Sequence, residues 1–163
     1  MSKSIRVAFY KETKKPINIG IAVWTWLFNP LTPPYSHVEI GFEQNDKWRY
    51  FSSTLRGEAT GTRWIDAKDL LKNPERWDVY EVTGYSDELM IKKANSILGL
   101  GYDLAGILGF ITPFGLPNRK NKWYCSEACY YVLTSQWKKR ISPRRFYVFI
   151  KKKFKYSIRK VRI

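Results

Sequence analysis

The sequence predicts an α+β domain, and three observations carry that prediction. Alternating apolar and polar residues cluster in the first half of the chain, and helical periods cluster in the second. Apolar residues make up 44% and aromatics 17% of 163 residues, too rich for a disordered chain. That length buries a single core without disulfides or metals.

The elements follow in order. "SIRVAFY" (4–10) reads as a first strand. "INIGIAVWTWLF" (17–28) is an apolar stretch of helical length that stops at "NPLTPPY", where prolines forbid continuation. "SHVEIGF", the polar turn "EQNDK" and "WRYFSST" form a hairpin signal. "TRWIDA" adds a short strand, and "WDVYEVTG" (77–84) alternates as a further one. After Gly84 the period changes. "SDELMIKKANSILGL" begins with Ser86 as N-cap and places Leu89, Lys92/Lys93 and Ile97 at helical spacing. "YDLAGILGFI" reads as a second short helix. "CSEACYYVLTSQW" is a third, with Cys125, Cys129 and Val132/Leu133 along one face. "SPRRFYVFIKKK" takes Ser142 as N-cap and Pro143 at its first turn, and buries Phe146, Phe149 and Ile150. "FKYSIRKVRI" alternates, as either an edge strand or a loose end.

Charge is the strongest compositional signal. The chain carries 29 Lys and Arg against 14 Asp and Glu, a formal +15. From Lys138 to Ile163 there are 12 basic residues and no acidic one, the last carboxylate being Glu127. Such a block attracts nucleic acid or anionic lipid, or simply solvates a surface. On the first reading the contacts come from Lys151, Lys152, Lys153, Lys155, Arg159 and Lys160, with Phe154 and Tyr156 available to stack on bases. No apolar run reaches the length of a membrane span, and the start lacks a signal peptide's pattern. Two cysteines exclude a disulfide-dense scaffold and fit a reducing cytosol.

Chemistry concentrates on Cys125 and on His37, the chain's single histidine. A thiolate is the useful nucleophile, whereas a free thiol of pKa about 8.5 is mostly protonated at neutral pH. A helix N-terminus and a neighbouring imidazolium both favour the anion. Cys125 opens a helix; nothing in the spacing shows whether His37 meets it. Cys129 reads as core. A zinc site would have three ligands, Cys125, Cys129 and His37, with no fourth His or Cys, so no metal or other cofactor is expected. The glycines of "GLGYDLAGILGF" follow no strand at the spacing of a phosphate loop.

"YSHVEIGF" at a strand start, a hairpin, and later "WYCSEAC" at a helix start resemble the circularly permuted NlpC/P60 hydrolases. In these papain-like enzymes the histidine strand precedes the cysteine helix. The segments "YFSSTLRGEATGTRWIDA", "RWDVYEV" and "GYDLAGILGF" look like the version of this fold found in phage and prophage proteins. The resemblance covers roughly residues 5–135. It implies an antiparallel sheet carrying the histidine, packed on helices carrying the cysteine. Residues 1–140 would form the catalytic domain, and 141–163 a basic helix and tail, part of the same domain or an appendage.

The resemblance further implies Cys125 as nucleophile and His37 as base, acting on an amide, ester or thioester of a small acyl or peptide substrate. Backbone amides at the start of the cysteine helix would hold the oxyanion. The residue orienting the imidazole is left open. Glu39 lies on His37's face of the strand, because side chains repeat every second residue. Ser53 or Ser52 on the partner strand is the alternative. Tyr124, Tyr102 and Trp24 are candidates for the substrate wall. The implied location is the cytoplasm, that of the host for a phage-encoded protein, or a virion. The alternative function is a non-catalytic basic protein that binds nucleic acid or an anionic surface.

Overall fold

The computed structural model describes residues 4–11, 33–55, 60–85, 87–104, 121–138 and 141–163. The expected helix over 17–28, Trp24 and Ser86 lie outside them, as do residues 105–111 of the expected helix "YDLAGILGFI"; its first residue, Tyr102, belongs to a short strand instead.

Six strands form one antiparallel sheet: β1 (Ser4–Tyr10), β2 (His37–Gln44), β3 (Lys47–Thr54), β4 (Gly61–Asp66), β5 (Trp77–Thr83) and, after the helices, a last strand at Ile158–Val161. Their spatial order is β4-β3-β2-β1-β5 followed by that last strand. The helices are α1 (Ala67–Leu70), α2 (Glu88–Ser96), α3 (Cys125–Thr134) and α4 (Pro143–Lys153). Two short parallel strands, β6 (Gly101–Tyr102) and β7 (Lys122–Trp123), pair just before α3. The last strand is therefore β8.

The β2–β3 turn is tight because Asn45 and Asp46 both take left-handed φ, 51° and 60°. These are the residue types that tolerate it, and a turn of this hand matches the strand twist. Alternation along β1 divides the core between the two faces. Ile5, Val7 and Phe9 join Val38, Ile40, Phe42 and Phe51 under α3, α2 and α4. Ala8 and Tyr10 join Tyr50, Trp77 and Val79 on the other side, where Leu70 and Leu71 at the end of α1 cover them.

One expected helix face is corrected. Leu89 is 58% exposed; Ile97 turns inward as expected, with Met90 and Ala94 beside it in place of Leu89 and Lys93. Those two positions lie one residue on from the expected ones, at the same helical spacing, and join the core shared with α3. Helix α4 matches its expected start: Ser142 accepts from the Arg145 amide and Pro143 opens the first turn. Phe146 and Ile150 are in the core, with Phe149 packed partly against it. Residues 141–163 are built into the main fold, since β8 pairs with β5 and α4 packs into the core. Arg6, Glu81 and Arg159 face one another across β1, β5 and β8, an ion-paired row that fixes the register.

Gly61 holds β4 to the turn that follows α2. Its φ is +110°, and a Cβ there would stand 2.2 Å from the Leu100 carbonyl oxygen. Gly61→Ala is expected to cost about 1–3 kcal/mol through backbone strain, read as a lowered urea midpoint at unchanged slope. An unaltered midpoint would show that this approach is not needed.

Candidate active site

His37 begins β2, where it pairs with Tyr10 of β1 and presents its ring to Trp77 at a centroid distance of 6.4 Å. Alternation sets His37 and Glu39 on the face of Tyr10 and Ala8, opposite Val38 and Ile40, whose side chains share the core with α3. The cysteine helix still reaches them because the sheet opens here. The β2–β3 ladder runs from Gln44↔Lys47 to Ile40↔Phe51. Beyond that row β3 goes on pairing with β4 alone, through Ser52↔Arg63, Ser53↔Thr62 and Thr54↔Gly61. Cys129 Sγ lies in the opening, 3.7 Å from the Val38 carbonyl oxygen and 3.8 Å from that of Phe51. One turn earlier on the same helix face stands Cys125, the charged neighbour that acts most strongly on His37.

Of the candidates for orienting the imidazole, Glu39 is the one that touches it. Its Oε1 is 2.9 Å from His37 Nε2. The serine alternatives fall away on geometry. Ser52 Oγ donates to the Val38 carbonyl at 2.7 Å, and among the described residues no hydrogen bond engages Ser53 Oγ, a buried atom. Glu39 is in turn gripped by Arg63 of β4, whose Nη1 and Nη2 donate to its two carboxylate oxygens at 3.0 and 2.8 Å. Arg63 was not expected from the sequence, where it reads as an ordinary strand position.

The electrostatics follow from this chain of contacts. Burial works to raise the Glu39 carboxyl, but the Arg63 guanidinium and His37 override it and hold it at about 2. Burial works to lower His37; the Cys125 thiolate and then Glu39 overcome that and raise it to about 9. The two cysteines separate: burial, then the Cys125 and Glu39 charges, push the Cys129 thiol well up, so it stays neutral core.

Helix α3 begins with Tyr124 in extended backbone as N-cap. Its first backbone-to-backbone bond runs from the Ala128 amide to the Tyr124 carbonyl, so the helix ladder begins only after the first-turn amides. Glu127 reaches back to accept from the Tyr124 amide at 3.4 Å, as a capping residue does. The Tyr124 phenol is pushed up by burial and then by its neighbour Cys125. Tyr102 stacks edge-on to Tyr124 at 6.0 Å. Cys125 itself has no exposed surface.

The basic residues split into two groups. Arg159 Nη2 is 3.2 Å from Glu81 and Lys160 Nζ 2.7 Å from Asp78. Lys151, Lys152, Lys153 and Lys155 are exposed at the end of α4, where three of them also complement the helix dipole. Among the described residues no group of three or more His, Cys, Asp or Glu is placed to hold a metal ion, and no helix is long and apolar enough to cross a membrane.

No protein-family model matches the chain, and no curated protein matches its sequence.

Proposed function

We propose that the protein is a cysteine hydrolase or acyltransferase on a permuted papain-like fold of the NlpC/P60 kind, in a phage or prophage setting. One observation carries the reading: the imidazole that Glu39 holds at 2.9 Å is the one on which Cys125, at a helix N-terminus, acts most strongly among its charged neighbours. In the first half-reaction the Cys125 thiolate attacks the carbonyl carbon of an amide, ester or thioester. The oxyanion that forms is held by first-turn amides of α3. His37 protonates the leaving group as the tetrahedral adduct collapses to acyl-Cys125. The neutral imidazole then takes a proton from water or an acceptor, whose oxygen or nitrogen attacks the acyl carbon and restores the thiolate. Glu39 keeps the ring oriented throughout. A small acyl or peptide substrate suits the mechanism.

The test uses the lone histidine, whose ring signals need no assignment. In an NMR titration His37 is expected to lose its proton near pH 9 in the wild type and nearer the ordinary histidine range in Cys125→Ser. Titration near pH 6.5 in both proteins would sink the ion pair and the mechanism with it.

A second reading has its own observation. Tyr156 is 94% exposed, with Lys155 Nζ 5.2 Å from its ring, and Lys151, Lys152 and Lys153 are exposed on the preceding last turn of α4. This is the composition of a stacking, polyanion-binding surface. Because β8 is part of the sheet, charge reversal of Lys151, Lys152 and Lys153 is the test, not truncation. If this reading holds, affinity for a generic single-stranded oligonucleotide falls roughly fifty-fold between 50 and 200 mM salt through about four phosphate contacts, and is lost in the reversed variant. Equal, salt-insensitive binding by both proteins would remove it.

A further inference from the structure

We propose that Arg63 is a positioning residue of the thiol site: it spans strand β3 to hold Glu39 fixed and ionised, and so sets the acid limit of the pH range in which His37 and Cys125 work together. This rests on the acyl-transfer reading above. The geometry is specific. Arg63 stands opposite Ser52 in the β4–β3 register, and the next row of the β3–β2 register would place Glu39 beyond Ser52. Two strand spacings are about 10 Å, the combined reach of an arginine and a glutamate. The bridge passes only because the intervening residue is small and turns its hydroxyl aside, to the Val38 carbonyl.

A carboxylate with essentially no exposure would otherwise take up a proton, or swing away from the ring. Arg63 prevents both by its charge and by its two parallel bonds, a geometry a lysine cannot reproduce. It touches neither the thiol nor any reacting atom, so its role is exerted entirely through Glu39.

The experiment follows the His37 ring shifts between pH 3 and 10 in wild type, Arg63→Gln and Arg63→Lys, with folding checked by circular dichroism. Glu39 is close enough to report its own titration through the ring. The wild type is expected to be flat on the acid side. Arg63→Gln should gain an inflection above pH 4, and Arg63→Lys an intermediate one. Where Arg63→Gln does not fold, the lysine variant carries the same test. An acid side as flat in the folded variants as in the wild type would overturn the proposal.

Iodoacetamide capture of Cys125 supplies the functional half. With Glu39 protonated in most molecules, Arg63→Gln should react about tenfold more slowly at pH 5 than at pH 7.5, beyond any such loss in the wild type. The ring readout does not need a reactive thiol. A wild type whose Cys125 is inert, together with an acid inflection in Arg63→Gln, would overturn the acyl-transfer reading while leaving the grip on Glu39 established.

Discussion

His37→Ala is expected to slow iodoacetamide capture of Cys125 at pH 7 by about 10²-fold, and turnover of an activated ester by about 10²–10⁴-fold, the range for losing a positioned acid–base. The reason is specific to this site. Cys125 acts on His37 most strongly among its charged neighbours, and with Glu39 it holds the ring's proton up to about pH 9. Intact mass with peptide mapping separates Cys125 from Cys129, which serves as the internal control because its thiol stays neutral. In the wild type, reactivity should extend well below pH 8 and the variant should lose that extension. Matching rates and pH profiles in the two proteins would show that the thiol and the histidine are neighbours without chemistry.

Glu39→Ala is expected to destabilise the fold by about 3 kcal/mol, because it strands the Arg63 charge in a partly buried site. For a chain of this size that is a fall in Tm of about 6–12 °C. The pH dependence has a definite sign. Glu39 is held at about 2 in the folded protein, from 4.5, so its stabilisation is present above pH 4.5 and is lost as pH falls toward 2. His37 runs the other way: raised from 6.5 to about 9, its stabilisation is complete below pH 6.5 and gone above pH 9. The wild type should therefore be most stable between these limits, and Glu39→Ala should lose most of the acid-side dependence. Equal melting of the two proteins at pH 6 would contradict the buried bridge.

The sequence made local features legible and left register-dependent ones hidden. The strand, turn and strand from Ser36 to Thr54 are written in alternation and in Asn45–Asp46, so the hairpin was readable. So was the start of α4, where Ser142 and Pro143 are local signals. Glu39 was reachable too, because a two-residue step on a strand keeps one face. Arg63 was not: its contact depends on how β2, β3 and β4 align and on where β2 and β3 part, and neither is encoded near residue 63. The same limit applies to Arg159 and Lys160. Counted along the chain they are unpaired cations, but β5 offers Glu81 and Asp78 to them. Leu89 shows the limit of periodicity, since two adjacent helical stripes fit and only packing chooses between them.

Strand β1 lies between β2 and β5, pairing with both along nearly its whole length. Its second neighbour comes far later in the chain, after the hairpin, β4 and α1. The hairpin can form early on local contacts, whereas the centre of the sheet must close a long loop first, which makes refolding slow for the chain's size. Until β5 arrives, "SIRVAFY" offers one apolar edge to any other strand, including that of a second copy. Refolding yield is thus expected to fall with protein concentration, a vulnerability set by strand order and independent of the chemistry at Cys125.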